Sequence, residues 1–166
     1  MSYEPFVLWS NDVSRENAEH EDLRSLLRQA SRLAGRHYRA RLAQYELSAS
    51  QASALLFLNE RLGSTLRELA EALSADLATA SALVDRLMSQ ELIRRETDPA
   101  DRRRARLLLT EKAQGLLAPV TEATREANAM LTQALGAGRA AELATILREL
   151  LQGLAEGPAG KDEETA

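Results

Sequence analysis

Between Leu77 and Leu109 the apolar spacing changes period, and that change limits the fold more than any other feature. From about Leu77 to Gln90 the pattern suits a helix, with Asp76 as its N-cap. Leu92-Ile-Arg-Arg-Glu-Thr97 then reads as a strand, Asp98-Pro-Ala-Asp101 has turn chemistry, and Arg104-Ala-Arg-Leu-Leu-Leu109 reads as the returning strand. Ahead of them, Thr65-Leu-Arg-Glu68 is a capping box that opens a short helix to about Leu73. A short helix, a tight turn, a second helix and a hairpin, in that order, predict a helix-turn-helix with a wing.

The flanks are helical. Apolar residues at 23, 26, 27, 30, 33, 34, 37/38, 42 and 45 make a 3.6-residue stripe over 21–46. Ser48-Ala-Ser-Gln51 is a second capping box, opening a helix to about Arg61, and Gly63 ends it. Thr110 caps a long helix to Leu135, in which Pro119 predicts a kink or a delayed start. Past Gly136-Ala-Gly138 a last helix carries Leu143, Ile146, Leu147, Leu150, Leu151 and Leu154. The class is mainly α with a small β-hairpin. The outer helices hold more Leu and Ile than one small winged helix covers, so a dimer core is the economical solution.

The net charge of −4, taken whole, argues against a polyanion as partner. Its distribution says otherwise. Residues 1–22 hold six acids and one Arg, and residues 113–166 hold eight acids against four bases. Arg94–Arg106, by contrast, carries six Arg and three acids. A further stripe, Arg24, Arg28, Arg32, Arg36, Arg39 and Arg41, steps along 21–46 at helical spacing and reads first as a solvated face. Nineteen of the 21 basic residues are Arg, whose planar fork suits phosphate.

The helix from Leu77 opens with Ala78-Thr-Ala-Ser-Ala82, read as one exposed face. Small side chains allow close approach to DNA, hydroxyls bond base edges or phosphate, and Ala or Thr methyls meet the thymine methyl. Thr79, Ser81 and Ala82 are therefore candidate groove contacts, and Ser64 a candidate phosphate contact. For Arg86 a phosphate contact and a pair with Asp85 or Glu71 both stay open. At the hairpin tip Arg102, Arg103 and Arg104 can reach an adjacent minor groove, and of these Arg102 and Arg104 are the better candidates for direct contact.

Other chemistry is scarce. With no Cys, disulfides, thiolate metal sites, a Cys nucleophile and thiol-based sensing are excluded. His20 and His37 are the only histidines, and no nucleophile elbow or glycine-rich phosphate loop accompanies them, so neither an enzyme nor a metal or cofactor site is expected. No apolar run approaches the ~20 residues that span a bilayer, and the first residues lack signal-peptide character. A cytoplasmic protein is expected.

The chain resembles the MarR family of bacterial winged helix-turn-helix transcriptional regulators over roughly 21–155. The resemblance is carried by Leu47-Ser-Ala-Ser-Gln51, Leu66-Arg-Glu-Leu-Ala-Glu-Ala-Leu73, Ala78-Thr79 through Leu83-Val-Asp-Arg-Leu87, and Leu92-Ile-Arg-Arg95. Most telling is Asp98-Pro-Ala-Asp-Arg-Arg103, followed by Leu109-Thr-Glu-Lys112. It implies a homodimer whose outer helices intertwine, a double-stranded palindromic operator, usually repressed, and release by a small aromatic or phenolic ligand between dimer body and DNA-binding lobe. It implies that Asp98 and Asp101 orient the wing, Asp98 by holding Arg103. It makes His37, Tyr38, Arg41 and Trp9 candidate ligand contacts, although a lone His on an apolar face is more often a satisfied core residue. Three positions depart from the pattern: Ala82 where many members carry Arg, and Glu91 and Ala113 where Gly is usual.

The expected organisation is an acidic arm 1–20, a dimerisation helix 21–46, a winged helix-turn-helix 47–110, C-terminal dimerisation helices 111–156 and a flexible tail 157–166. The alternative is a winged-helix module that binds protein instead of DNA, which would favour acids or large apolar residues at 78–82.

Overall fold

The computed structural model describes residues 22–98, 101 and 104–156. The arm 1–20 with Trp9 and His20, the tip residues Arg102 and Arg103, and the tail 157–166 lie outside them. The chain divides into two units, Met1–Gly35 and Arg36–Ala166. In the first, α1 (Leu23–Ala43) begins, with the Asp22 carboxylate accepting the Arg24 N–H at 3.1 Å.

The second unit holds the end of α1, then α2 (Ala49–Glu60), α3 (Leu66–Ala72), α4 (Leu77–Ser89), β1 (Ile93–Thr97), β2 (Ala105–Leu109), α5 (Glu111–Leu135) and α6 (Ala137–Glu156). Both capping boxes form: Ser48 pairs with Gln51 at the start of α2, and Thr65 with Glu68 at the start of α3. Asp76 caps α4 and Thr110 caps α5, each accepting a backbone N–H three residues on. Pro119 does not delay α5, which starts at Glu111 and is assigned without a break.

The strands form one antiparallel hairpin in which Ile93 faces Leu109 and Thr97 faces Ala105. Its inward residues, Ile93, Leu107 and Leu109, join a core of Leu42, Leu55, Leu58, Leu69, Val84, Leu87 and Val120. At roughly 25 cal/mol per Å² of apolar surface removed from water, this burial is the main force holding α2–α5 and the hairpin together. Leu69 and Leu87 are fully buried, while Leu66 and Leu83 pack against the same cluster from its edge. Among the described residues no helix is long and apolar enough to cross a membrane.

Candidate nucleic-acid interface

The second helix of the motif, α4, is fixed from one side and open on the other. Ala80, Val84 and Leu87, at spacings of four and three, form its buried stripe. Ala80 is wholly buried, so the five-residue exposed face expected at 78–82 is corrected: Ala78, Thr79 and Ala82 are exposed, Ser81 is half-buried, and Ala80 faces the core. Counting back four from Val84 is the signal that places Ala80 inside. Its small volume is what lets α4 lie close against its neighbours.

The start of α4 is held by Asp76, whose carboxylate accepts the Thr79 N–H at 2.7 Å. That bond keeps the Asp76 carboxyl below the usual carboxylate range. The turn before it passes through Ser74 at φ +50°. The far end is tied by a polar latch that the sequence did not reveal. Gln51 is 3% exposed. Its Oε1 accepts the Ser48 N–H at 2.9 Å while its Nε2 donates to Gln90 Oε1. Lys112 Nζ donates to the Gln90 carbonyl at 2.8 Å, and the Thr110 hydroxyl to the Glu91 carbonyl at 2.7 Å. The C-cap of α4 is thereby joined to the first turns of α2 and α5. Gln51 escaped notice because its place in a capping box already accounted for it.

Arg86 is exposed on α4. Both carboxylates considered as its partners are engaged elsewhere: Asp85 with Arg95 at 3.4 Å and Glu71 with Arg67 at 3.3 Å. Among the described residues Arg86 has no ion pair, which leaves its guanidinium available to solvent or phosphate.

The hairpin is anchored at its base. Asp98, 7% exposed, takes Arg106 Nη2 at 2.8 Å. The Asp98 N–H donates to the Arg104 carbonyl at 2.8 Å and the Arg104 N–H to the Asp101 carbonyl at 2.9 Å, so the turn closes across the tip. Asp98 thus holds an Arg of the wing, and among the described residues that Arg is Arg106. Arg104 is exposed at the start of the returning strand. Ser64 is 6% exposed, its hydroxyl donating to the Arg61 carbonyl at 2.7 Å and its own carbonyl accepting the Leu107 N–H at 2.8 Å. Its burial removes the hydroxyl from any phosphate, and the role expected of Ser64 becomes structural. Next to it, Glu68 accepts the Thr65 N–H at 2.7 Å, and that bond holds its carboxyl below the usual range.

The candidate ligand residues fall on another seam. Arg41 forks onto Glu126 of α5, Nε to Oε2 at 2.9 Å and Nη2 to Oε1 at 3.3 Å, and His37 Nε2 lies 3.5 Å from the same carboxylate. Tyr38 approaches the Thr124 hydroxyl at 3.4 Å. The sequence reading brought His37, Tyr38 and Arg41 together but missed Glu126, which neutralises Arg41. Among the described residues no group of His, Asp and Glu could hold a metal ion.

A model described as MarR family matches residues 45–104. The HTH-type transcriptional repressor NicR of Pseudomonas putida is 28% identical over 131 residues, 79% of this chain and 83% of that protein. The uncharacterized HTH-type transcriptional regulator YsmB of Bacillus subtilis is 30% identical over 105 residues, 63% of this chain and 72% of that protein. Among solved structures, the transcriptional repressor CouR bound to a 23-mer DNA duplex matches with a TM-score of 0.74 at 26% identity, covering 84% of this chain and 99% of that chain.

Proposed function

The chain belongs to the MarR family, whose relatives here are HTH-type transcriptional regulators rather than enzymes, and we propose that it is a repressor binding a palindromic operator as a homodimer. One observation carries this reading. At the N-terminal end of α4 the outward positions Ala78, Thr79, Ser81 and Ala82 are small or hydroxylated, and the helix stands beside a hairpin whose base and tip bear arginines. A major groove admits such a helix, N-terminal residues first. Ala78, Thr79 and Ala82 come closest to base edges, Ser81 follows at the rim, and Arg86 is placed for phosphate. The protein-interaction alternative asks for acids or large apolar side chains at 78–82, and those five positions have neither. The repressor assignment draws support from the names of NicR and CouR.

The homodimer accounts for apolar side chains left in water. Met130, Leu131, Leu135, Leu143, Ile146, Leu151 and Leu154 are all exposed on α5 and α6. A two-fold assembly that covers them sets two copies of α4 about one helical turn, ~34 Å, apart along a duplex.

Release by a small aromatic or phenolic ligand is the further part of the reading. The α1–α5 seam supplies Tyr38, His37 and Arg41 for it. A ligand carboxylate has to displace Glu126 from Arg41, which favours a neutral phenol over an acid at that point.

A gel shift tests the whole reading, with duplexes from the region upstream of the protein's own gene and an Arg103→Ala/Arg104→Ala double variant. The expected result is operator binding by the wild type and more than tenfold weaker binding by the variant, with the dimer intact. An unchanged shift in the double variant removes the wing from the interface. No shift on any duplex removes the regulator reading itself.

A further inference from the structure

The turn joining α2 to α3 lies directly against the returning strand of the wing. Gly63 has φ +76°, and a Cβ at that position would stand 3.2 Å from Arg106 Cδ. Glycine is required here twice, for its left-handed backbone and for the close approach. The Leu107 N–H bonds the Ser64 carbonyl at 2.8 Å, so turn and strand are joined next to the Arg106 side chain. Three arginines from two stretches therefore gather near one turn: Arg61 within it, Arg104 just before β2 and Arg106 in β2.

Each side chain of the new pair is held without being used up. The Arg61 guanidinium lies over the Phe57 ring, 5.7 Å from its centroid. Stacking leaves the edge N–H groups of a guanidinium directed outward. Arg106 gives one Nη to Asp98, and the other donors of its five-donor fork remain. Of the acids nearby, Asp98 is buried beneath Arg106, and Glu96, which faces Arg106 across the hairpin, pairs with Arg94. Glu68 is bound to the backbone N–H and hydroxyl of Thr65, while its charge still acts on Arg61 and Arg104. Glu60 shares the groove of Ser53, Leu56 and Ser74 with Phe57, the ring under Arg61, and forms no ion pair with Arg61 among the described residues.

We infer that Arg61 and Arg106, with Arg104 beside them, form a clamp for a backbone phosphate of duplex DNA, built on the Gly63 turn and separate from the reading face of α4. The inference rests on the DNA-binding reading above. The clamp reads no sequence: both guanidiniums are tethered, one to Phe57 and the other to Asp98, and a tethered fork positions a duplex instead of following base edges. Tethering also means little side-chain entropy is lost on binding.

Fluorescence anisotropy of a labelled mixed-sequence duplex, titrated with the full-length protein across a NaCl series, tests it. Each phosphate neutralised adds about −0.9 to the slope of log K against log salt. Arg61→Gln is expected to make that slope shallower by about 0.9, equally on duplexes of unrelated sequence, and Arg106→Gln to do the same. Arg106→Lys, which keeps the charge, recovers most of the slope, and Arg139→Gln on α6 leaves it unchanged. Arg61 is exposed and bears no hydrogen-bonded side-chain partner among the described residues, so Arg61→Gln decides the matter even if Arg106→Gln disturbs the wing. A wild type that binds with a steep slope, and an Arg61→Gln variant with the same slope, overturn the clamp and leave the regulator reading standing. A wild type that fails to bind any duplex at low salt overturns that reading, and the clamp with it.

Discussion

α4 and α6 are both amphipathic helices, and they end up in opposite situations. α4 buries Ala80, Val84 and Leu87 among its neighbours and turns Ala78, Thr79, Ala82 and Arg86 outward. α6, longer at 20 residues, buries none of its described side chains: Leu143, Ile146, Leu151 and Leu154 all stand in water. α5 passes from one condition to the other along its length, with Ala113, Val120 and Ala123 buried near its start and Met130, Leu131 and Leu135 exposed near its end. The winged helix thus buries most of its large apolar side chains, Leu62, Leu77 and Met88 apart, whereas the terminal helices leave theirs largely exposed among the described residues. Exposed apolar area on that scale, gathered on consecutive turns, marks an interface.

The comparison breaks most visibly if the unpartnered element is removed. Ending the chain after Leu135 deletes α6, and the expected result is loss of the dimer, read as a shift to monomer mass in analytical ultracentrifugation. The winged-helix residues keep their own core, so helical circular dichroism should survive in proportion to the helices left. A dimer that persists without α6 places the interface elsewhere.

Two single substitutions sharpen the contrast at smaller cost. Leu87→Ala removes a fully buried side chain and should destabilise the fold by about 2–5 kcal/mol, the usual range for such cavities. Leu151 is 63% exposed within the chain and is not part of its buried core. Leu151→Ala should therefore leave monomer folding unchanged and weaken association. Its melting temperature should fall at concentrations where the wild type is assembled and become less sensitive to protein concentration, as expected when assembly and stability are linked by mass action. If both variants lower the midpoint alike at every concentration, the distinction between the two helices fails.

Much of the fold was legible because this chain announces its helix starts. Ser48, Thr65, Asp76 and Thr110 each stand immediately before a helix and each accepts a backbone N–H from its first turn. The hairpin was legible from the change in apolar spacing after Gln90 and the turn chemistry of Asp98–Asp101. What stayed hidden depends on contacts between distant residues. That Asp98 takes Arg106 follows from a strand register no local pattern fixes, and the burial of Ser64 follows from its bond to Leu107, 43 positions away. Arg61 shows no helical or strand spacing with Arg104 and Arg106, so the cluster exists only once the Gly63 turn meets β2. Glu126 was overlooked because an acid on an otherwise apolar helix face reads as exposed until Arg41 and His37 are seen opposite it.

The smallest expected effect concerns the joint between α4 and the wing. Glu91 has φ +58°, a left-handed conformation that penalises any residue with a Cβ by about 1 kcal/mol. The chain accepts the cost because the turn lets Glu91 N–H reach the Met88 carbonyl at 2.9 Å and Leu92 N–H the Leu87 carbonyl at 2.9 Å, closing α4 before β1 begins. The carbonyl of Glu91 also takes the Thr110 hydroxyl. All three bonds involve backbone groups of residues 91 and 92, so Glu91→Gly keeps them while removing the strain. The greater freedom of glycine in the unfolded chain cancels part of the gain. A net stabilisation of a few tenths of a kcal/mol remains, seen as a rise of about 1–2 °C in melting temperature, with duplex affinity unchanged. A lower melting temperature would mean that the Glu91 side chain contributes more than its backbone costs. The joint would then be held by that carboxylate as well as by the hydrogen bonds around it.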